Sequence, residues 1–308
     1  MNSLRFPLLV FSLMVLTSAV CSIHGQPINP LVREGVTEKI SEHVHVIPDA
    51  SVPLVPNVGI IVGTHGTFVI DTGLGERNGQ TVLREVAKVS RNTELHLATT
   101  HFHPEHDLGA SAFPANTDMI RSRDQQKDID EFGLQLAQSF SSRSPYSAAL
   151  LKGAEFRKAN TFFEKEHTVD LGGVQVRLIA MGANHTRGDT AFWIEPDGVL
   201  FSGDIVMKPQ PAFASPYSSL RHWLESLDTL QKLQPKRIVP SHGPMGDGAL
   251  IAGYRAYLTG IQTRTVALKK EGKSADQAVE TIATEMQKQY PDRGRLTGAV
   301  RAAYAEAP

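Results

Sequence analysis

Three histidines and one glutamate fall within six consecutive residues of the chain. They are His101, His103, Glu105 and His106. At the end of a strand, residues two apart project to the same side, so His101 and His103 can bind one metal ion. Glu105 and His106 would lie on the following loop and turn toward a second ion. Imidazole and carboxylate are ligands of catalytic zinc, and a cluster without thiolate argues against a closed structural zinc site. The spacing therefore predicts a catalytic metal centre.

Four further motifs accompany the cluster HFHPEH in a fixed order. Their residues that can bind or orient a metal are Asp71 in IDTG, His185 in NHTRGD, Asp204 in FSGDIV and His242 in PSHGP. The five motifs together resemble the metallo-β-lactamase superfamily, whose hallmark is an HxHxDH loop followed by a separate histidine, an aspartate and a last histidine. The resemblance covers roughly residues 40 to 245, and it is specific because several motifs recur in order.

The resemblance implies two sets of zinc ligands. The first set consists of His101, His103 and His185. The second set consists of Glu105, His106 and His242. Asp204 would bridge the two ions, and Asp71 would orient ligands from a strand end without coordinating. Iron or manganese could occupy the same ligands.

A pair of zinc ions predicts a hydrolase. Each ion lowers the pKa of a bound water toward about 7 and polarises a carbonyl group, which suits hydrolysis of an ester, thioester, lactone or lactam. Asp204 and Glu105 are the predicted catalytic residues. Glu105 departs from the family, which usually has aspartate there, and its extra methylene extends the carboxylate by about 1.5 Å. Glu105 would either bind the second ion or act as a proton shuttle.

Three other functions stay open at this point. One is a β-lactamase proper, although lactam-cleaving members with cysteine on the second metal have it where Asp204 stands. Another is an iron-dependent oxidoreductase of the same fold, and the third is a non-catalytic metal-binding protein. Lys208 could bind an anionic substrate, but exposure to solvent is the favoured interpretation. Apolar residues around Phe132, Phe140 and Tyr146, and in the segment 207–219, could wall the substrate pocket, but core packing is the favoured interpretation.

Strand patterns surround these motifs. VHVI and VGIIVGTHGTFVID predict strands with a hairpin turn at Gly63 to Gly66, and ELHLA predicts a short buried strand leading into the cluster. A second strand group is predicted in TVDL, VQVRLIAMG and DTAFWIEPDGVLFSG, with a turn at Pro196 to Gly198. RIVP adds one further strand.

Helical periodicity fills much of the remaining chain. Helices are predicted at about 77–90, 219–233 and 249–305, with helices and loops at 122–165. Gly272 and Pro291 should interrupt the last segment. With the resemblance, this order predicts an α+β fold, a four-layer αββα sandwich with a helical C-terminal extension from about residue 249. A single hydrolase domain is expected over residues 26–308.

The N-terminus and the overall charge bear on location and partners. Residues 1–25 read as a secretory signal peptide, with Arg5 before an apolar run, which predicts a periplasmic or secreted protein without stable membrane insertion after cleavage. Lipidation of Cys21, the single cysteine, is the less favoured alternative. The formal net charge of -1 provides no basic field for nucleic acid, so a small-molecule substrate is the expected partner. The oligomeric state is left open.

Six histidines match no position of the motifs. They are His43, His45, His65, His96, His167 and His222. We expect them to be structural or surface residues.

Overall fold

The computed structural model describes residues 29–208 and 213–308. The predicted signal peptide, residues 1–25, lies outside the described residues. Within 29–208 and 213–308, no helix is both long and apolar enough to cross a membrane.

The first sheet contains seven strands, which neighbour one another in chain order. They are β1 (Glu38–Lys39), β2 (Val44–Ile47), β3 (Val58–Val62), β4 (Gly66–Ile70), β5 (Glu94–Ala98), β6 (Asp118–Ser122) and β7 (Thr161–Phe163). Strands β1 to β4 pair antiparallel, and β4 to β7 pair parallel. The predicted hairpin turn is present, because Val62 pairs with Thr67 across it.

The second sheet contains five strands in the order β12, β11, β10, β9, β8. They are β8 (Glu166–Asp170), β9 (Gln175–Gly182), β10 (Asp189–Ile194), β11 (Val199–Gly203) and β12 (Arg237–Pro240). Strands β8 to β11 form an antiparallel meander, and β12 returns parallel to β11. The predicted turn between β10 and β11 contains Gly198, whose φ of 65° favours glycine.

Nine α-helices accompany the sheets in the described residues 29–208 and 213–308. They are α1 (Glu76–Val89), α2 (Pro104–Asp107), α3 (Arg123–Asp128), α4 (Leu134–Ser141), α5 (Pro145–Leu150), α6 (Leu220–Lys232), α7 (Gly248–Lys270), α8 (Ala275–Met286) and α9 (Arg293–Glu306). A 3₁₀ turn, Leu108–Ala112, follows α2, and a wider π turn, Ile129–Gly133, joins α3 to α4.

Three apolar clusters stack these elements into four layers. Between the sheets, Phe68 and Ile70 of the first meet Phe192 and Phe201 of the second. Outside the first sheet, β3 and β4 pack on Val82 and neighbours from α1. Outside the second sheet, its strands pack on α6 to α9. The predicted αββα sandwich with C-terminal helices is confirmed.

The C-terminal helices form part of the outer layer over the second sheet. Tyr254 and Leu258 of α7, Ile282 of α8 and Val300 of α9 are buried in the same cluster as Trp193 of β10. The helices separate at the two predicted breaks, where Gly272 has a φ of 78° after α7 and α9 begins after Asp292.

Two details near the histidine cluster differ from the predicted elements. Glu105 and His106 lie on the short helix α2 and not on a loop, because Pro104 occupies its first position, where a fixed φ and a missing N–H suit a helix start. The parallel strands β6 and β7 were also not predicted. Both are short, and β7 has only three residues.

Candidate metal centre

The carboxyl ends of four strands meet at one edge of the sandwich. In the first sheet β4 and β5 are parallel neighbours, and Asp71 and His101 follow them. In the second sheet β11 and β12 are parallel neighbours, and Asp204 and His242 follow them. Parallel neighbours end at the same edge, so residues distant in sequence converge there. His185 joins them from the turn between β9 and β10.

The first group of potential ligands consists of His101, His103 and His185. Their ring centres lie 4.6 to 4.8 Å apart, and His103 Nδ1 lies 3.2 Å from His185 Nε2. One ligand atom from each residue lies within 4.8 Å of the others, so the three imidazoles could share a metal ion.

The second group consists of Glu105, His106 and His242. The imidazole rings of His106 and His242 lie 5.1 Å apart, and Glu105 Oε1 lies 3.9 Å from His106 Nε2. Helix α2 brings Glu105 and His106 to the site from adjacent positions. The longer glutamate thus lies among the ligand candidates.

Asp204 lies between the two groups. It could share an ion with His101 and His106, and its Oδ2 lies 3.5 Å from His185 Nε2. Gly203, immediately before it, has a φ of 59°, and a Cβ at Gly203 would lie 3.1 Å from Thr100 Cβ. Glycine in FSGDIV therefore lets β11 end against the first sheet, which brings Asp204 into the site.

Buried polar atoms in the cluster match the needs of a cation. No hydrogen-bond partner lies within the described part of the chain for His101 Nε2, Glu105 Oε2, His106 Nε2 and Asp204 Oδ1. Leaving a buried polar group unsatisfied costs about 1–3 kcal/mol, so four such atoms in one place need an explanation. Nitrogen and carboxylate oxygen donors in this arrangement fit one or two divalent cations.

The opposite nitrogen of three imidazoles is held by the surrounding protein. His106 Nδ1 lies 2.9 Å from Asp71 Oδ2, His185 Nδ1 lies 2.5 Å from the Phe213 carbonyl, and His242 Nδ1 lies 2.9 Å from the Val55 carbonyl. Contacts of this kind fix the tautomer that presents Nε2 to a metal, and they fix the ring orientation.

Asp71 lies at the end of β4 with a φ of 65°. Besides His106, its carboxylate accepts hydrogen bonds from the Thr100 N–H at 2.7 Å, the Thr100 hydroxyl at 3.0 Å and the Ser241 hydroxyl at 3.3 Å. Asp71 is absent from the three groups of potential ligands in the described residues. Its contacts connect the ends of β4, β5 and β12.

Burial and neighbouring charges shift the pKa values of the cluster in opposite directions. Burial, reinforced by the other histidines, holds the pKa of His101 and His103 well below the usual range, so both are neutral and can donate to a metal at neutral pH. Burial alone would also lower the pKa of His106, but the Asp71 carboxylate raises it to about 9. Burial raises the pKa of Glu105.

Comparison with known proteins identifies the family. Residues 52–242 match the sequence profile described as the metallo-beta-lactamase superfamily. The chain belongs to the metallo-beta-lactamase superfamily. As a superfamily member, it has the histidine and carboxylate groups that could hold metal ions at the strand ends.

The relatives of this superfamily member include alkylsulfatases. A linear primary-alkylsulfatase from a Pseudomonas strain is 22% identical over 259 residues, which are 72% of this chain and 49% of the sulfatase. A solved sec-alkylsulfatase from Pseudomonas has a TM-score of 0.69 at 15% identity. The matched region covers 88% of this chain and 50% of the sulfatase chain. The chain thus spans about half the length of both alkylsulfatases.

A third relative is closer in size. A beta-lactamase domain protein from Burkholderia ambifaria has a TM-score of 0.64 at 18% identity. The matched region covers 89% of this chain and 91% of the Burkholderia chain. At these identities the solved structures show a shared fold.

A cleft of about 1010 Å³ opens over the histidine cluster. Its wall includes residues of the cluster together with Phe132 and Phe140 from the segment around α4, and Phe213 and Tyr217 from the segment after β11. Core packing, the favoured interpretation, is wrong for Tyr146, Phe213 and Tyr217, which are 41%, 46% and 51% exposed, whereas Phe140 is buried. Phe132 is partly buried and lines the cleft. Lys208 lines the cleft and is exposed, as expected.

Several residues that shape the site were not predicted. Asp189 accepts the backbone N–H of His185 at 2.6 Å and also binds Thr186, which fixes the turn that carries His185. The sequence signal for Asp189 was its place in NHTRGD. Arg143, and Arg295 of α9, line the cleft without any motif to indicate them.

A buried ion pair supports the histidine cluster from behind. Arg121 of β6 donates to both oxygens of Asp107, at 2.9 and 3.2 Å, and both side chains are fully buried. The Thr99 hydroxyl also donates to Asp107. The pair therefore fastens the end of α2 to the first sheet.

Proposed function

We propose that this superfamily member is a binuclear zinc-dependent hydrolase that cleaves an ester, thioester, lactone or lactam in a small molecule. The observation that carries the proposal is the convergence of two ligand groups on Asp204, with unpartnered buried atoms in both groups. One ion would lie with His101, His103 and His185. The other would lie with Glu105, His106 and His242, and Asp204 would contact both.

Bound divalent cations supply Lewis acidity, which activates water and stabilises negative charge on the substrate. The side chains of this chain provide the geometry. Asp71 and the backbone carbonyls of Val55 and Phe213 hold the imidazoles in place, so little reorganisation accompanies the reaction. Glu105 lies with its Oε1 3.9 Å from His106 Nε2, so it would either bind the second ion or take up a proton from water and return it to the leaving group.

Sulfate ester hydrolysis is a second candidate. Two observations favour it: the similarity to two Pseudomonas alkylsulfatases, and the presence of three arginines and a lysine among the residues that line the cleft. A sulfate ester carries a permanent negative charge, so a cleft with arginines would bind it better than a neutral ester.

Zinc, export and a periplasmic or secreted location are parts of the same proposal. Iron or manganese remains an alternative for the metal, because both accept imidazole and carboxylate ligands. Metal analysis of protein purified without added metal distinguishes them. Iron with a visible absorption band would contradict the zinc assignment and favour the iron-dependent oxidoreductase.

The test is a substrate panel run on zinc-loaded protein. It contains an aryl ester, a thioester, a lactone, a chromogenic cephalosporin and a linear alkyl sulfate. We expect turnover of at least one substrate, loss of turnover with a chelator, and recovery with zinc. His101→Ala is the matched inactive variant, and His167→Ala, outside the three ligand groups of the described residues, is the control. Two bound zinc ions without turnover of any panel member would favour the non-catalytic metal-binding alternative.

A further inference from the structure

Three arginines line the cleft over the candidate metal centre, and they differ in their partners. Arg187 pairs with Asp128 at 2.6 Å and Glu131 at 2.8 Å. Arg295 pairs with Asp292 at 3.2 Å. In contrast, no carboxylate in the described part of the chain lies within 4 Å of the Arg143 guanidinium. Arg143 therefore brings a positive charge to the cleft that no neighbouring acid neutralises in a direct ion pair.

Packing fixes the position of the Arg143 guanidinium near the metal ligands. Its Cζ lies 3.4 Å from the centre of the Phe140 ring, in a cation–π stack. Phe140 is 2% exposed, and its ring centre lies 6.2 Å from that of His103. Stacking uses the face of a guanidinium and leaves its N–H edges free for an anion. The exposed Arg143 side chain is thus anchored beside the first ligand group.

The same cleft has an aromatic wall. Phe132 and Tyr217 pack in a tilted arrangement with their ring centres 5.3 Å apart, and the Arg187 guanidinium lies 5.1 and 5.0 Å from these two rings. Leu136 and Phe213 also line the cleft. Tyr217 and Phe213 are large, exposed and apolar. A cleft that holds both an anchored cation without an acidic partner and exposed aromatic side chains suits a molecule with an anionic group at one end and an apolar chain at the other.

We propose that Arg143 is a specificity-determining residue that binds the anionic group of an amphipathic substrate, whose apolar part lies against Phe132, Leu136 and Tyr217. The inference rests on the proposed hydrolase function and names its substrate class, an amphipathic organic anion. Lys208 also lines the cleft, but among the described residues no aromatic ring holds its side chain in a cation–π contact. We therefore do not include it in this recognition.

The test measures binding to the zinc-loaded full chain by calorimetry. The probes are decane-1-sulfonate, an anionic amphiphile without an ester bond, and decan-1-ol, its neutral counterpart. For Arg143→Gln we expect the ratio of decanesulfonate to decanol affinity to fall about tenfold or more, since charge-assisted hydrogen bonds contribute about that much. Arg143→Lys should recover only part of the ratio, because a lysine lacks the planar pair of donors.

The matched control is Lys208→Gln, which removes a positive charge from the same cleft. Its effect on the ratio should stay below about threefold, as for an exposed charge. Equal losses in Arg143→Gln and Lys208→Gln would overturn the proposal in favour of a general positive field. An unchanged ratio in Arg143→Gln, or no measurable binding of decanesulfonate to the unmodified protein, would also overturn it. Zinc content and thermal unfolding of each variant confirm that the site is intact.

Binding of these probes requires no turnover, so the two proposals fail separately. An Arg143-dependent affinity in a protein that hydrolyses no panel substrate would contradict the hydrolase proposal alone. Turnover of panel substrates with an affinity ratio independent of Arg143 would contradict the recognition proposal alone.

Discussion

The Asp71 carboxylate lies 2.9 Å from Nδ1 of His106, and both side chains are buried. This contact directs the free Nε2 of His106 toward Glu105 and His242. Asp71→Asn should therefore weaken binding of the second metal ion by about 10- to 100-fold. Asparagine tolerates the positive φ at this position, so the backbone can stay unchanged. Zinc titration with a competing chelator measures the effect.

The chain contains a matched control for this prediction. Asp197 contacts Nδ1 of His43 at 2.8 Å, and neither residue belongs to a ligand group of the described residues. Asp197→Asn should leave zinc affinity unchanged. Equal affinities in the two variants and the unmodified protein would show that Asp71 does not position His106 for metal binding.

Glu105 provides a second prediction. Glu105→Ala should lower turnover by about 100-fold, because it removes a group placed for proton transfer, while total zinc falls less and the first ligand group stays loaded. Metal analysis and kinetics on the same sample measure both effects. Glu105→Asp, which restores the residue usual in the family, is the companion variant. Two zinc ions together with normal turnover in Glu105→Ala would exclude both roles of Glu105.

The pKa of His106 predicts proton release on metal binding. Asp71 raises this pKa to about 9, so His106 is protonated at neutral pH without metal and must lose its proton to bind zinc. At about pH 7.5 zinc uptake should release close to one proton from His106, and release should decline as pH rises through about 9. Calorimetry in buffers with different ionisation enthalpies measures the release. Uptake without a proton at neutral pH would refute this assignment.

The same shift affects the stability of the metal-free protein. The folded pKa of His106 is above the unfolded value of about 6.5. The stabilisation from its contact with Asp71 is therefore complete below about pH 6.5, and it is lost as pH rises through about 9. Asp71→Asn should flatten this part of the stability profile, measured by urea unfolding.

The buried pair of Arg121 and Asp107 predicts a large loss of stability. Arg121→Met leaves the Asp107 carboxylate buried without its cation, which should lower the free energy of unfolding by about 3–5 kcal/mol. The control is Arg177→Gln, which breaks a surface pair with Glu166 and should change it by about 0–1 kcal/mol. Similar losses in both variants would show that the buried pair has no special role. Denaturant unfolding measures both.

The sequence predicted the four layers because the strands carry clear apolar patterns and the motifs recur in a fixed order. It predicted the helices α6 to α9 closely, since Gly272 and Pro291 mark their breaks. It did not predict β7, which is too short to show a pattern, or the short helix α2, for which Pro104 was the available signal.

The candidate site shows a similar division. The potential metal ligands that meet at the strand ends, and Asp71 beside them, were named from their motifs. The carbonyls of Val55 and Phe213 that hold His242 and His185 were not, because any residue type can supply a backbone carbonyl. Arg121 was not predicted because arginine is usually exposed, and its burial depends on a partner from another element. Arg143 enters the cleft through packing on Phe140, which no spacing in the sequence indicates.

The most direct test of the central claim is anomalous diffraction at the zinc absorption edge from crystals of the zinc-loaded protein. We expect two anomalous peaks per chain. One should lie among His101, His103 and His185, the other among Glu105, His106 and His242, and Asp204 should contact both. A single peak, or peaks away from these residues, would contradict the binuclear site.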